Sequence, residues 1–187
     1  MEARRLADEM MAHFRDPAGG FFDTSDDHET LVVRPKDLQD NATPSGNAMA
    51  ATVLLRLAAL TGESRYRDLA EEALRLVQPL AGTYPTAFAQ WLCALDFALS
   101  RPKEIAIIGD PAGQDTRKLI ETVRGAYRPS QVVAVGRPEE SSPVPLLEGR
   151  APLNGRATAF VCEHFACRLP VTDPEELAAL LAEPALI

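Results

Sequence analysis

Thr43-Pro44-Ser45-Gly46-Asn47-Ala48-Met49-Ala50-Ala51-Thr52-Val53-Leu54-Leu55-Arg56-Leu57-Ala58-Ala59-Leu60-Thr61-Gly62-Glu63-Ser64 carries a helix start, a helix body and a helix stop in sequence. Thr43-Pro44-Ser45 reads as an N-cap with proline at the first helical position, where a missing N–H costs no hydrogen bond. Met49, Val53, Leu54, Leu57 and Leu60 follow at helical spacing. Gly62 stands where a left-handed C-cap is expected. Ser64 opens the next helix, with Tyr66, Leu69, Ala70, Ala73, Leu74 and Val77 on its inner face. A break this short predicts an antiparallel αα-hairpin. Pro79 and Gly82 are expected to end the second helix.

The same pattern extends outward. Residues 2–15 carry Leu6, Met10, Met11 and Phe14 on one helical face, and Asp16-Pro17 stops that run. A further helix is expected from about Pro85 to Leu99, presenting Phe88, Trp91, Leu92, Leu95 and Leu99. After Arg101-Pro102 the character changes. Glu104–Ile108 and Gln131–Val135 read as buried strands flanking a helix over 113–125, a βαβ unit with parallel strands. Residues 137–154 hold four prolines and read as a loop, Ala157–Cys162 reads as a third strand, and Thr172 or Asp173 caps a last helix. The expected fold is mainly α: helical hairpins over 1–102, then a small parallel α/β region, βαβ plus β-α, over 103–187.

Between the first two helices lies the loop 16–43. It packs Gly19-Gly20-Phe21-Phe22-Asp23-Thr24-Ser25-Asp26-Asp27-His28, Arg34-Pro35-Lys36 and Asp40-Asn41 into one connection. A loop of this length is uncommon unless functional or disordered, and its phenylalanines and hydrogen-bonding groups argue for order. The chain has 187 residues with 27 acids against 19 bases, a net charge of -8. That balance disfavours nucleic acid as a partner and fits an uncharged or cationic small ligand. No apolar run reaches the ~20 residues of a membrane span. The N-terminus lacks the apolar core of a signal peptide, so no membrane partner and a cytoplasmic location are expected. Three cysteines do not suggest a disulfide framework.

Gly19–Phe22, Asp26-Asp27-His28, Arg34-Pro35-Lys36, Asp40–Asn47, Cys162-Glu163-His164-Phe165-Ala166-Cys167 and Pro170–Pro174 occur in an order that resembles the C-terminal end of the YyaL-like, thioredoxin-domain-containing, spermatogenesis-associated family. The resemblance covers nearly all of the chain. It implies a fold like the last hairpins of an (α/α)6 toroid of the six-hairpin glycosidase and epimerase type. Full-length members resemble a thioredoxin-like domain joined to that toroid, and their activity is not settled. A partial toroid implies a second copy or a partner chain over its exposed helix faces.

Three chemistries are open. In the first, the chain is carbohydrate-active. Asp26 or Asp27 with His28 would do acid–base work, since glycoside chemistry pairs two carboxyls and histidine titrates near neutrality. Arg34, Lys36, Asp40, Asn41, Ser45 and Asn47 would bind substrate, Arg34 through its bidentate fork and Ser45 and Asn47 at a helix N-terminus. The alternative for each is local: turn caps, Asx turns and ion pairs within the loop. In the second, the chain is a non-catalytic interaction module. In the third, Cys162 and Cys167 form a redox dithiol, although Cys-x4-Cys departs from the usual Cys-x-x-Cys spacing; buried strand-end thiols are the plainer reading. With His164 they lack a fourth ligand, so no metal is expected. No cofactor motif is present, because Gly109-Asp110-Pro111-Ala112-Gly113 follows a strand without the phosphate-binding pattern. Cys93 reads as core. Trp91 and Tyr84 could stack on a sugar, with Trp91 equally a core anchor.

Overall fold

The computed structural model describes residues 2–29 and 31–183. Among these, the helices are α1 (Glu2–His13), α2 (Gly46–Thr61), α3 (Ser64–Thr83), α4 (Ala89–Leu99), α5 (Gln114–Arg124) and α6 (Pro174–Ala182). The strands are β1 (Lys103–Ile108), β2 (Gln131–Gly136), β3 (Thr158–Glu163) and β4 (Ala166–Cys167). The chain divides into a helical unit up to Leu99 without Ala59–Gly62, and a second unit made of Ala59–Gly62 and the chain from Ser100.

In the helical unit α2 is the most enclosed element, with Ala48, Ala51, Leu54, Leu55 and Leu57 buried. It starts later than the sequence suggests. Ser45, not Thr43, is the cap: its Oγ accepts from Ala48 N at 3.2 Å. Asn41 N donates to Thr43 O at 3.0 Å, which turns the chain and keeps Pro44 outside the helix. Helix α3 runs through both Pro79 and Gly82. Proline removes one intrahelical bond, but buried Val77 and Ala81 on either side hold the turn in place. Tyr66 is fully buried and donates to Asp8 of α1 at 2.9 Å. Gly62 has φ 75°, as a left-handed C-cap requires.

In the second unit the strand order is β2-β1-β3-β4. β1 and β2 are parallel, in register from Lys103↔Gln131 to Ile108↔Gly136. The sheet is nevertheless mixed, because β3 runs antiparallel to β1. A parallel third strand would need a crossover, and the connection after Gly136 holds only a 3₁₀ turn at Pro145–Leu147. The chain therefore re-enters at the end where β2 leaves. Ile105, Ile107, Ala159 and Val161 of the sheet pack with Leu119 and Val123 of α5 and Leu177 and Leu181 of α6. Alternation places Glu104, Ala106, Phe160 and Cys162 on the opposite face. Asp173 caps α6, accepting from Glu175 N at 2.8 Å. At the other end of α6, the Lys103 ammonium donates to the carbonyls of Leu180, Leu181 and Glu183 at 2.9, 2.9 and 2.6 Å.

Gly109, between β1 and α5, marks a close approach. A Cβ there would lie 2.4 Å from Thr116 Oγ1 and 2.8 Å from Ala157 Cβ. Gly109→Ala is expected to cost about 1–3 kcal/mol by overpacking. Urea unfolding checks this, and a change within experimental error would show that the βα turn is not tightly packed.

Candidate functional site

The loop 16–43 folds back on the N-terminus of α2. Asp16 N donates to Gly20 O and Gly19 N to Asp16 O, each at 2.9 Å, closing a turn in which Gly19 and Gly20 take positive φ. Asn47 stands in the first turn of α2 and is 1% exposed. Its Oδ1 accepts from Phe21 N at 2.7 Å, and its Nδ2 donates to Phe21 O at 2.8 Å and Asp37 O at 3.0 Å. A Cβ on Gly20 would lie 2.8 Å from Asn47 Oδ1, so glycine is required there for space as well as for φ.

The other sequence-derived candidates are engaged in similar ways. Asp40 joins two helix starts: Oδ1 accepts from Ser45 N and Oδ2 from Gln90 N of α4, both at 2.8 Å. A carboxylate suits both positions, because helix N-termini carry unpaired N–H groups and positive potential. Arg34 donates to His13 O at 3.0 Å and to Thr24 O, and lies 4.2 Å from the Phe22 ring centroid. Lys36 pairs with Asp16 at 2.6 Å and donates to Gly19 O at 3.0 Å. That ion pair holds the Asp16 carboxyl below the usual carboxylate range. Asn41 is exposed and acts through its backbone. Trp91 donates to Leu38 O at 2.7 Å and is buried, whereas Tyr84 is exposed. Thus Asp40, Ser45 and Asn47 are brought together at the start of α2, and Arg34 and Lys36 at the turn beneath Phe22.

Asp26, Asp27 and His28 are exposed. Asp26 Oδ1 lies 2.8 Å from His13 Nδ1, and this contact raises the His13 pKa. Asp27 accepts from Ser25, which lowers its pKa. His13, Asp26 and Asp27 offer ligand-type atoms within 4.8 Å of one another. His13 was not legible as a site residue, because it ends a helix far upstream and nothing in its spacing points to the acids. A recess of about 280 Å³ beside His28 is lined by Asp23, Thr24, Ser25 and Glu29.

The cysteines depart from the plainer reading, buried strand-end thiols and a core Cys93, in two respects. Cys162 and Cys167 are joined by a disulfide; direct cross-strand pairing of the two residues brings them together where the odd cysteine count gave no hint. Cys162 is buried but Cys167 is exposed. Cys93 is free and exposed rather than core, because α4 turns Trp91, Ala94 and Phe97 inward instead.

The chain resembles one family along this whole architecture. It is 34% identical over 185 residues to spermatogenesis-associated protein 20 of Mus musculus, covering 96% of this chain and 23% of that protein. The Homo sapiens protein of the same name is 35% identical over 185 residues, covering 96% of this chain and 24% of the relative. These relatives support the spermatogenesis-associated family that the motifs indicate. The chain spans about a quarter of the length of the curated relatives it matches. No family model matches it.

Two outcomes check this account of the loop. Asn47→Ala takes the side-chain partner from three backbone groups, two of them on buried Phe21, and is expected to cost about 3 kcal/mol in chemical denaturation. The depressed Asp16 pKa contributes stability above the unfolded carboxyl value of ~3.9, lost as pH falls through the lower folded value. Lys36→Met is therefore expected to move acid unfolding to higher pH; an unchanged acid midpoint would show that the ion pair is unimportant.

Proposed function

We propose that the helical unit is a non-catalytic interaction module, the closing hairpins of an α/α toroid, whose open groove takes an apolar helix from elsewhere in that toroid. The observation that carries this reading is a second apolar stripe on α4. Its inner face is Trp91, Ala94 and Phe97, yet Leu92, Leu95 and Leu99 lie along another face, and Leu99 is 78% exposed. With Leu74, Val77 and Ala81 of α3 they line a groove of about 390 Å³. A helix apolar on most of its circumference is ordinarily buried on most of it. The relatives carry roughly three-quarters of their length outside the matched stretch, enough chain to supply such a helix. The engagement of the loop groups with one another and with the helices supports a bracing role for the loop.

Mixing this chain with the unmatched remainder of the Homo sapiens relative tests the reading. Light scattering after size exclusion is expected to find a one-to-one complex, and Leu92→Glu to weaken it at least about tenfold. Two results count against it: no complex, or a homodimer of this chain that Leu92→Glu abolishes, which would give the groove to a second copy.

A second reading keeps the carbohydrate-active proposal at the recess beside His28. Its support is a recess that His28 lines together with Asp23, Ser25 and Glu29 as well as Phe14 and Leu31, next in sequence to the Asp26 and Asp27 carboxyls, which meet His13. Calorimetry with neutral mono- and disaccharides should then give binding that His28→Ala removes. Heats no larger than dilution would end that reading. No described helix is long and apolar enough to cross a membrane, and a cytoplasmic setting belongs to the same proposal.

A further inference from the structure

The hairpin joining β3 to β4 is short and unusual in its residues. His164 and Phe165 both take positive φ, 50° and 62°. Consecutive left-handed residues are what a two-residue hairpin turn demands, but glycine or asparagine normally supplies them. Two groups secure this turn. Glu104 Oε2 accepts from Phe165 N at 2.7 Å, and the Cys162–Cys167 disulfide closes the strand pair. Only Cys162↔Cys167 and Glu163↔Ala166 are in register along β4.

The sulfurs are set in a polar and asymmetric environment. Arg150 Nη2 lies 3.4 Å from Cys162 Sγ and 3.0 Å from Cys167 Sγ. The guanidinium is held by the Leu146 carbonyl and lies 5.6 Å from the Phe160 ring centroid. Glu104 is 2% exposed and stands directly opposite Cys162 in register, so its carboxyl shares the face of the disulfide. Burial raises the Glu104 pKa and lowers that of Arg150. Cys162 is 1% exposed, whereas Cys167 is on the surface. A cation against both sulfurs favours thiolate over thiol, and thiolates are the attacking and leaving groups of disulfide exchange.

We propose that Cys162–Cys167 is a thiol–disulfide exchange site that takes electrons from an external dithiol, with Arg150 stabilising the sulfur that departs. The thiolate of the dithiol attacks exposed Cys167 Sγ. A mixed disulfide forms, the Cys162–Cys167 bond breaks, and its electron pair leaves on Cys162 Sγ beside Arg150. The second thiol of the reductant then attacks its own sulfur in the mixed disulfide and releases Cys167. The reductant ends as a disulfide, and its two protons end on Cys162 and Cys167. With the bond gone, the hairpin loses its covalent closure and is held by the Glu104 contact, the two-residue ladder and the Arg168 N–Val161 O bond, so β4 loosens. This goes beyond the interaction role of the helical unit and does not depend on it.

The test uses the full chain with Cys93→Ser, which removes the third thiol. Peptide mapping without reduction is expected to find Cys162 linked to Cys167 after mild oxidation. Dithiothreitol should then expose both thiols to alkylation in the folded protein, faster than global unfolding. Arg150→Met is expected to slow that reaction about tenfold and raise the thiolate titration followed by ultraviolet absorbance, with Arg150→Lys restoring both in part. A merely structural arginine would leave the titration unmoved. Free, unlinked thiols after oxidation would overturn the proposal. So would reduction only at the rate of unfolding, or a folded Arg150→Met with unaltered rate and titration.

Discussion

The helical unit depends on one buried amide. Asn47 uses its oxygen and both of its hydrogens on the backbone of the loop that precedes it. A connection of this length has many conformations, and fixing each residue costs roughly 1–2 kcal/mol of backbone entropy. The loop is ordered because its constraints interlock. Asn47 holds Phe21 and Asp37, Asp40 holds the starts of α2 and α4, Lys36 closes on Asp16, and Arg34 lies over Phe22 while binding the carbonyls behind it. Phe21 is buried as a consequence, and Trp91 reaches Leu38 O across the same region. The charged groups in this loop thus do the work that backbone ladders do in helices and sheets.

Much of the architecture was legible in the sequence because it rests on local rules. Apolar spacing places α1 to α4 in the right order, Gly62 and Asp173 mark helix ends by their capping chemistry, and β-branched runs mark β1 and β2. Failures came where a distant partner decides. Pro79 stays inside α3 because packing outweighs one lost hydrogen bond. The orientation of β3 depends on the path of a proline-rich connection, which has no periodic signal. On α4, Phe97 and Ala94 took the core in place of Leu92 and Leu99, since both sets have helical spacing and only the neighbouring helix chooses between them. Of the loop residues that looked like ligand groups, Asp40, Ser45 and Asn47 meet at the start of α2 while Asp26, Asp27 and His28 stay exposed, and the target of each hydrogen bond was not readable. His13, Glu104 and Arg150 were invisible because each meets its partners from far along the chain.

The second unit shows a division of labour between its two sheet faces. One face is apolar and buried under α5 and α6. The other carries Glu104, Cys162 and, through the disulfide and Arg150, a polar cluster at the exposed end of β3. A buried carboxyl and a half-buried guanidinium are costly to desolvate, and both are retained here next to the paired sulfurs. That concentration of polar chemistry is what sets the hairpin apart from the rest of the unit.

Amide hydrogen exchange of the wild-type chain, followed residue by residue by NMR, tests the bracing role of the loop most directly. The amides of Phe21, Asp23, Asp37 and Ser45, bonded to Asn47, Pro35, Asp23 and Asp40, are expected to exchange nearly as slowly as those in the centre of α2. Exchange of those four at the rate of an unstructured peptide, with α2 still protected, would contradict that role.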